Sequence, residues 1–321
     1  MLTPCWKFHK QLNRVGSTEH AYVVARGLED ISHLFLSMPA PARDAPGARP
    51  VVTPLISTES PLKSICVVGD LAGPQNAFLV VNLALALARL GLRICVVDMD
   101  ESGPCLNVLH GEHAATEHAA AGAASVVVKG PLNVQVVNWP LVRDARAASN
   151  DDKRRVLARL DTLGSEIDMV LVSTQPQHVF SLPLGLRETI REFLVMVSPD
   201  KHKMLQAYKM IKSIFMHEPL ANIGLIVSNI EHMYEIENVF VKMSAAARKF
   251  LDKELYKYGF LFKLRQSTAT AAPLATFYDA DLTACISNIA QIVVLRLNLG
   301  ESASASGASL RNVLTQTVMT E

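Results

Sequence analysis

The stretch of this sequence best placed to do chemistry is residues 65–100, ICVVGDLAGPQNAFLVVNLALALARLGLRICVVDMD. An apolar, strand-like run leads into a loop of about eight residues and then an apolar helical pattern that ends at Gly91. That frame suits an anion. Loop glycines let backbone N–H groups approach a phosphate, a lysine neutralises it, and a Ser/Thr hydroxyl holds Mg²⁺. Here the loop reads Asp70, Leu71, Ala72, Gly73, Pro74, Gln75, Asn76 and Ala77, with one glycine, no lysine and no hydroxyl. Pro74 has no N–H to donate. Asp70 adds a negative charge; at about 6 Å from a phosphate and an effective ε of about 20, the repulsion is on the order of 3 kcal/mol. These features act in one direction, against tight binding of a triphosphate.

Two carboxylates, Asp98 and Asp100, close the second strand-like run. They could order water near a metal, or cap the segment that follows. Asn229 ends the run IGLIVSN, where its amide could bond a turn. His110, Glu112, His113, Glu117 and His118 crowd one stretch, as metal ligands do. Their i, i+3 and i, i+5 spacing and the lack of a second ligand cluster favour a solvated helix and loop, so no metal is expected. Cys5, Cys66, Cys95, Cys105 and Cys285 are scattered, without a C-x-x-C pair, which fits a reducing compartment and no disulfide framework.

The elements that position these residues alternate regularly. Apolar runs at 64–69, 92–97, 133–138, 168–173, 193–198, 223–229 and 257–262 lack in/out alternation, as strands buried on both faces do. Helical patterns at 77–90, 152–163, 200–214 and 235–255 fall between most of them, and another near 280–297 closes the series. Strand and helix in this order predict an α/β fold with a doubly wound, mostly parallel sheet and helices on both faces. Pro39, Pro41, Pro46, Pro50 and Pro54 lie among small residues and predict an extended linker. The expected organisation is therefore an N-terminal segment over 1–38, a Pro-rich linker over 39–60, the α/β domain over 61–299 and a flexible tail over 300–321.

The strand, loop and helix of 65–100 resemble the opening of the MinD/ParA-type P-loop ATPases. Asn82, Leu83 and Ala84 fall in register with that family's Asn-Leu-Ala, and Asp98 and Asp100 with its Asp-x-Asp. In this register only Gly73 agrees with the family's loop. Leu71 replaces the signature lysine, Asn76 the P-loop lysine and Ala77 the Mg²⁺-binding hydroxyl. The family's Asp-Thr-x-x-Gly meets Ser173 and Gln177 here. Asn229 matches the asparagine that faces the base.

Farther along, Pro199, Ala207, Tyr208, Ile211 and Lys212, then Phe250, Leu251, Leu255, Tyr258 and Gly259, are similar to the flagellar-number regulators FlhG (FleN, MotR). Likeness to the Mrp-type iron–sulfur carriers at 101–111 lacks their C-x-x-C. Likeness to the tyrosine kinases of polysaccharide export, at Pro104 and Leu106, lacks their Tyr-rich tail. The resemblance implies a P-loop NTPase fold whose loop has lost what holds and cuts ATP. Phosphoryl transfer rests on neutralising and positioning charge, so the expectation is a pseudo-ATPase, with weak adenine-nucleotide binding at most.

Beyond that domain, Val24, Leu28, Ile31 and Phe35 recur at i, i+4, i+7 and i+11, an apolar helix stripe. It is either a surface for a protein partner or a face folded back on the domain. Leu310, Val313, Leu314 and Val318 form a second stripe in the tail. With Arg311 as its one basic residue, it supports membrane attachment weakly. Net charge is +1, so no global field points to nucleic acid. The N-terminal residues lack the apolar region of a signal peptide. The helical stretch 77–90, read as the most apolar, is too short to span a bilayer. A cytoplasmic protein is expected, soluble or peripheral at the inner membrane or a pole. Its expected role is that of a non-hydrolytic scaffold or regulator in placing or assembling a bacterial envelope structure (flagellum, pilus or polysaccharide exporter), with any homodimer independent of ATP. The alternative is a weak or partner-activated ATPase.

Overall fold

In a computed structural model of the chain, the apolar runs become the parallel strands of one sheet. The structure describes residues 63–69, 75–110, 126–147, 149–163, 167–182, 184–263, 280–297 and 307–319. The strands are β1 (Lys63–Val68), β2 (Ile94–Asp98), β3 (Val127–Lys129), β4 (Gln135–Asn138), β5 (Met169–Thr174), β6 (Ile190–Val197), β7 (Asn222–Ile230) and β8 (Leu255–Phe262). Their order is β3-β4-β2-β5-β1-β6-β7-β8. β3 pairs antiparallel with β4 at one edge, and every other pairing is parallel. The central strands β1, β2 and β5 are buried almost throughout, which is why their sequences are unbroken apolar runs.

The helices are α1 (Gln75–Arg89), α2 (Pro104–His110), α3 (Trp139–Asp144), α4 (Asn150–Leu160), α5 (Leu184–Thr189), α6 (Lys201–His217), α7 (Tyr234–Leu251), α8 (Ala280–Leu297) and α9 (Gly307–Met319). Buried side chains fall into two apolar clusters. α1 is apolar all round and lies in one of them, against the sheet, α2 and α8. Its mid-helix polar residue, Asn82, donates to the Phe78 carbonyl at 2.8 Å, so the buried amide has a partner within the helix. The helix ends at Gly91, whose φ of 90° suits a residue without Cβ. α4 and α6 begin at caps: the Ser149 hydroxyl accepts the Asp152 N–H, and the Asp200 carboxylate accepts the Lys203 N–H.

Two expectations change here. Residues 307–319 are not a loose tail. They form α9, which packs on α3, α4 and α5, with Leu310, Leu314 and Val318 fully buried in the second cluster. A stripe that its own domain covers is not free to enter a bilayer. The Ser/Ala/Gly-rich stretch before it hid this docking, because composition speaks only to local stiffness. Second, α8 is long and apolar enough, by length and composition, to cross a membrane, which 77–90 is not. One face of α8 nevertheless packs against α1 and β8, burying Leu282, Ile286, Ile289 and Val293.

Candidate functional site

β1 lies near the middle of the sheet, with β2, β3, β4 and β5 to one side and β6, β7 and β8 to the other. Ligands of doubly wound sheets bind at such a switch point, outside the carboxyl ends of the strands. Register brings those ends level: Ser173 of β5 lies opposite both Val67 of β1 and Asp98 of β2.

Asn76, in the first turn of α1, turns inward. Its Nδ2 donates to Ser173 Oγ and to the Thr174 carbonyl, each at 3.2 Å, and reaches the Val67 carbonyl at 3.5 Å. Two of these partners are carbonyl oxygens, which fixes the amide with its nitrogen toward the strands. The side chain is buried, and its Oδ1 has no hydrogen-bond partner among the described residues. Gly69 makes room for it: a Cβ there would stand 2.5 Å from Asn76 Cβ. The helix start is thus sealed onto β1 and β5 by a neutral amide.

Ser173 continues a polar chain into the domain. The buried Cys105 thiol bonds both Ser173 and Asp98, and its pKa is pushed well above the ordinary thiol range by burial, with the Asp98 charge acting in the same direction. Asp98 is almost fully buried and accepts the backbone N–H groups of Cys105 at 2.9 Å and Asp100 at 3.3 Å. It thereby holds the first turn of α2 against β2. Burial raises its pKa to about 7, against the lowering by those two N–H groups. Asp100 accepts the backbone N–H and the hydroxyl of Ser102, at 2.9 and 2.8 Å, and also bonds the Gln175 amide.

Asn229 is committed as well. Its amide and that of Gln75 bond reciprocally, Gln75 Nε2 to Asn229 Oδ1 at 2.7 Å and Asn229 Nδ2 to Gln75 Oε1 at 3.0 Å. Asn229 Nδ2 also reaches Ser198 Oγ at 3.1 Å. Its φ of 57° is left-handed, which asparagine tolerates better than most residues. The amide that could face a base therefore clamps the start of α1 to the end of β7. A cavity of about 50 Å³ lies beside this clamp, lined by Gly69, Pro176, Ser198 and Lys203.

The structure thus brings Gln75, Asn76, Ala77, Asp98, Asp100 and Asn229 to the carboxyl edge of one sheet. Asp70, Leu71, Ala72, Gly73 and Pro74 lie outside the described residues, as do Val24, Leu28, Ile31, Phe35 and His113 and His118. Among the described residues no group of three or more His, Cys, Asp or Glu is placed to hold a metal. Sequence reasoning missed Gln175, Ser198 and Cys105 as members of the site. Gln175 and Ser198 had position as their sole signal, each directly after a strand's carboxyl end, and Cys105 only its place in the first turn of α2.

No family model matches the chain. Among curated proteins it is similar to the antiactivator FleN of Pseudomonas aeruginosa, 24% identical over 207 residues that span 62% of this chain and 73% of FleN. Its fold is of the MinD/ParA type. Its strand order, its Asn-Leu-Ala helix and the FleN match agree on this. Solved structures similar to it include MinD of Aquifex aeolicus, at 17% identity over 76% of this chain and 99% of that one, with a TM-score of 0.45. MinD of Pyrococcus horikoshii, complexed with Mg-ADP, is 17% identical over 75% of this chain and 100% of its own, at 0.49. A plasmid partition protein of Borrelia burgdorferi bound to AMPPNP is 12% identical over 73% and 99%, also at 0.49.

Proposed function

We propose that the chain is a non-hydrolytic regulator or scaffold of the MinD/ParA type, acting in the placement or assembly of a bacterial envelope structure such as a flagellum. The observation that carries the non-hydrolytic part is Asn76. In the family register it takes the place of the lysine that neutralises phosphate, and here it is spent on Ser173 and the strand carbonyls. Ser173 in turn takes the place of the family's Mg²⁺-organising aspartate. A charged pair has become a neutral, buried one that closes the site from within. Antiactivation by FleN, the curated relative, supports the regulatory part of the reading. The partner surface assigned from sequence is the stripe Val24, Leu28, Ile31 and Phe35, with the Pro-rich segment as spacer.

A second reading, a weak or partner-activated ATPase, draws on two features. Lys203 lines the cavity beside Gly69, and Asp98 and Asp100 keep the family's carboxylates. Calorimetric titration with Mg-ATP separates the two. The expected result is a dissociation constant in the millimolar range or no heat. A micromolar constant overturns the pseudo-ATPase. Asn76→Lys alone is expected to leave the outcome unchanged, since Leu71 and Ala77 remain.

A further inference from the structure

Away from the phosphate site, the outer faces of α6 and α7 carry apolar side chains that their own domain does not cover. Leu205 and Met216 on α6, and Val241 and Phe250 on α7, are each more than half exposed. Between the two helices runs a groove of about 660 Å³. Met204, Tyr208, Met243 and Ala246 line it, and Leu205 and Phe250 also border it.

Charge on this groove is mainly positive. α6 carries four lysines and two histidines and no acid along its whole length. α7 has its acids, Glu235 and Glu237, in the first turn, where Glu235 accepts backbone N–H groups and Glu237 pairs with Lys257 at 2.9 Å. In the second half Lys242 lines the groove, while Arg248 pairs with Glu254 at 2.9 Å and Lys249 lies over the Phe250 ring. Asp200 is the one acid among the lining residues, and its carboxylate caps α6.

We infer that this groove receives an amphipathic helix of a partner protein, with its apolar stripe on Leu205, Tyr208 and Phe250 and acidic residues against Lys201 and Lys242. Helix-in-groove recognition uses such a trough, anchored at i, i+3/i+4 and i+7. Acidic flanks complement the lysines, and charge complementarity of this kind selects the partner. A second copy of this chain seated symmetrically would set these lysines against their own kind. A flat lipid surface would leave the groove between the two helices unfilled.

The test is independent of the nucleotide site. A displayed library of helical 16-residue peptides is selected on the full-length chain and counter-selected on the Leu205→Asp/Phe250→Asp variant. Both positions are solvent-exposed, so the variant is expected to melt with the wild type, which a thermal scan checks. Peptides with apolar residues at helical spacing and Asp/Glu flanks should be enriched, and a synthetic one should bind the wild type at least tenfold more tightly than the variant. Lys201→Glu/Lys242→Glu should weaken that peptide and reverse the preference toward Lys-flanked ones. Enrichment without charge bias, or binding that the variant retains, overturns the inference. So does co-sedimentation with phosphatidylglycerol vesicles, lost in the variant, when no peptide is enriched.

Discussion

A buried carboxylate costs free energy when it is ionised, and Asp98 makes that cost readable. Folded, it keeps its proton up to about pH 7; unfolded, an aspartate loses it near pH 4. Between those values the folded state binds more protons, so stability falls as pH rises through the window and levels off above it. The loss is on the order of a few kcal/mol. Urea midpoints at pH 5 and pH 8 should differ in the wild type, and the difference should shrink in Asp98→Asn. An unchanged difference would mean that other groups carry it. Asp168 works with the opposite sign. Arg93 holds its carboxyl below the usual range through two side-chain bonds and a backbone N–H, so its stabilisation is present above about pH 4 and lost as pH falls through the lowered pKa.

At the scale of elements, α9 is where local composition and tertiary packing diverge. Leu310, Leu314 and Val318 sit at i, i+4 and i+8 and are fully buried against the domain. Leu314→Ala should therefore cost roughly 2–5 kcal/mol, as core truncations do, and lower the melting temperature by several degrees. A helix held for membrane attachment would instead leave the melt unmoved, which differential scanning calorimetry can decide. β7 and β8 show a second dependence between elements. Gly224 leaves space for the Tyr258 ring, which a Cβ would meet at 2.1 Å, and Tyr258 donates to the buried Glu192 of β6 at 3.0 Å. Gly224→Ala must push that ring off its carboxylate, so a loss of stability is expected in the same assay, and more of it than Gly→Ala causes in open space.

For the whole molecule, the question is what its assembly responds to. In the MinD/ParA resemblance, dimerisation is switched by ATP held between loops, with the signature lysine crossing to the partner. Leu71 stands in that place here. The mass measured by light scattering should be the same with and without Mg-ATP. An ATP-dependent step from monomer to dimer would refute the scaffold reading more directly than an activity assay.

The sequence by itself determined the sheet. Its apolar runs are too continuous for one-sided strands, and seven of them reappear in β1, β2 and β4–β8, with boundaries shifted by a few residues. That residues 70–77 carry no lysine and no hydroxyl is also read from the sequence, because it is a matter of residue type. The antiparallel edge strand β3 escaped, since three residues carry too little periodicity to register. What the substitutes do was decided by tertiary structure alone. Asn76 finds Ser173 across 97 positions, and Gln75 finds Asn229 across 154. Such pairs depend on which strand ends lie level, and no local pattern encodes that register. The same reason turns the tail's stripe inward: periodicity shows that a face is apolar, and only the fold shows what covers it.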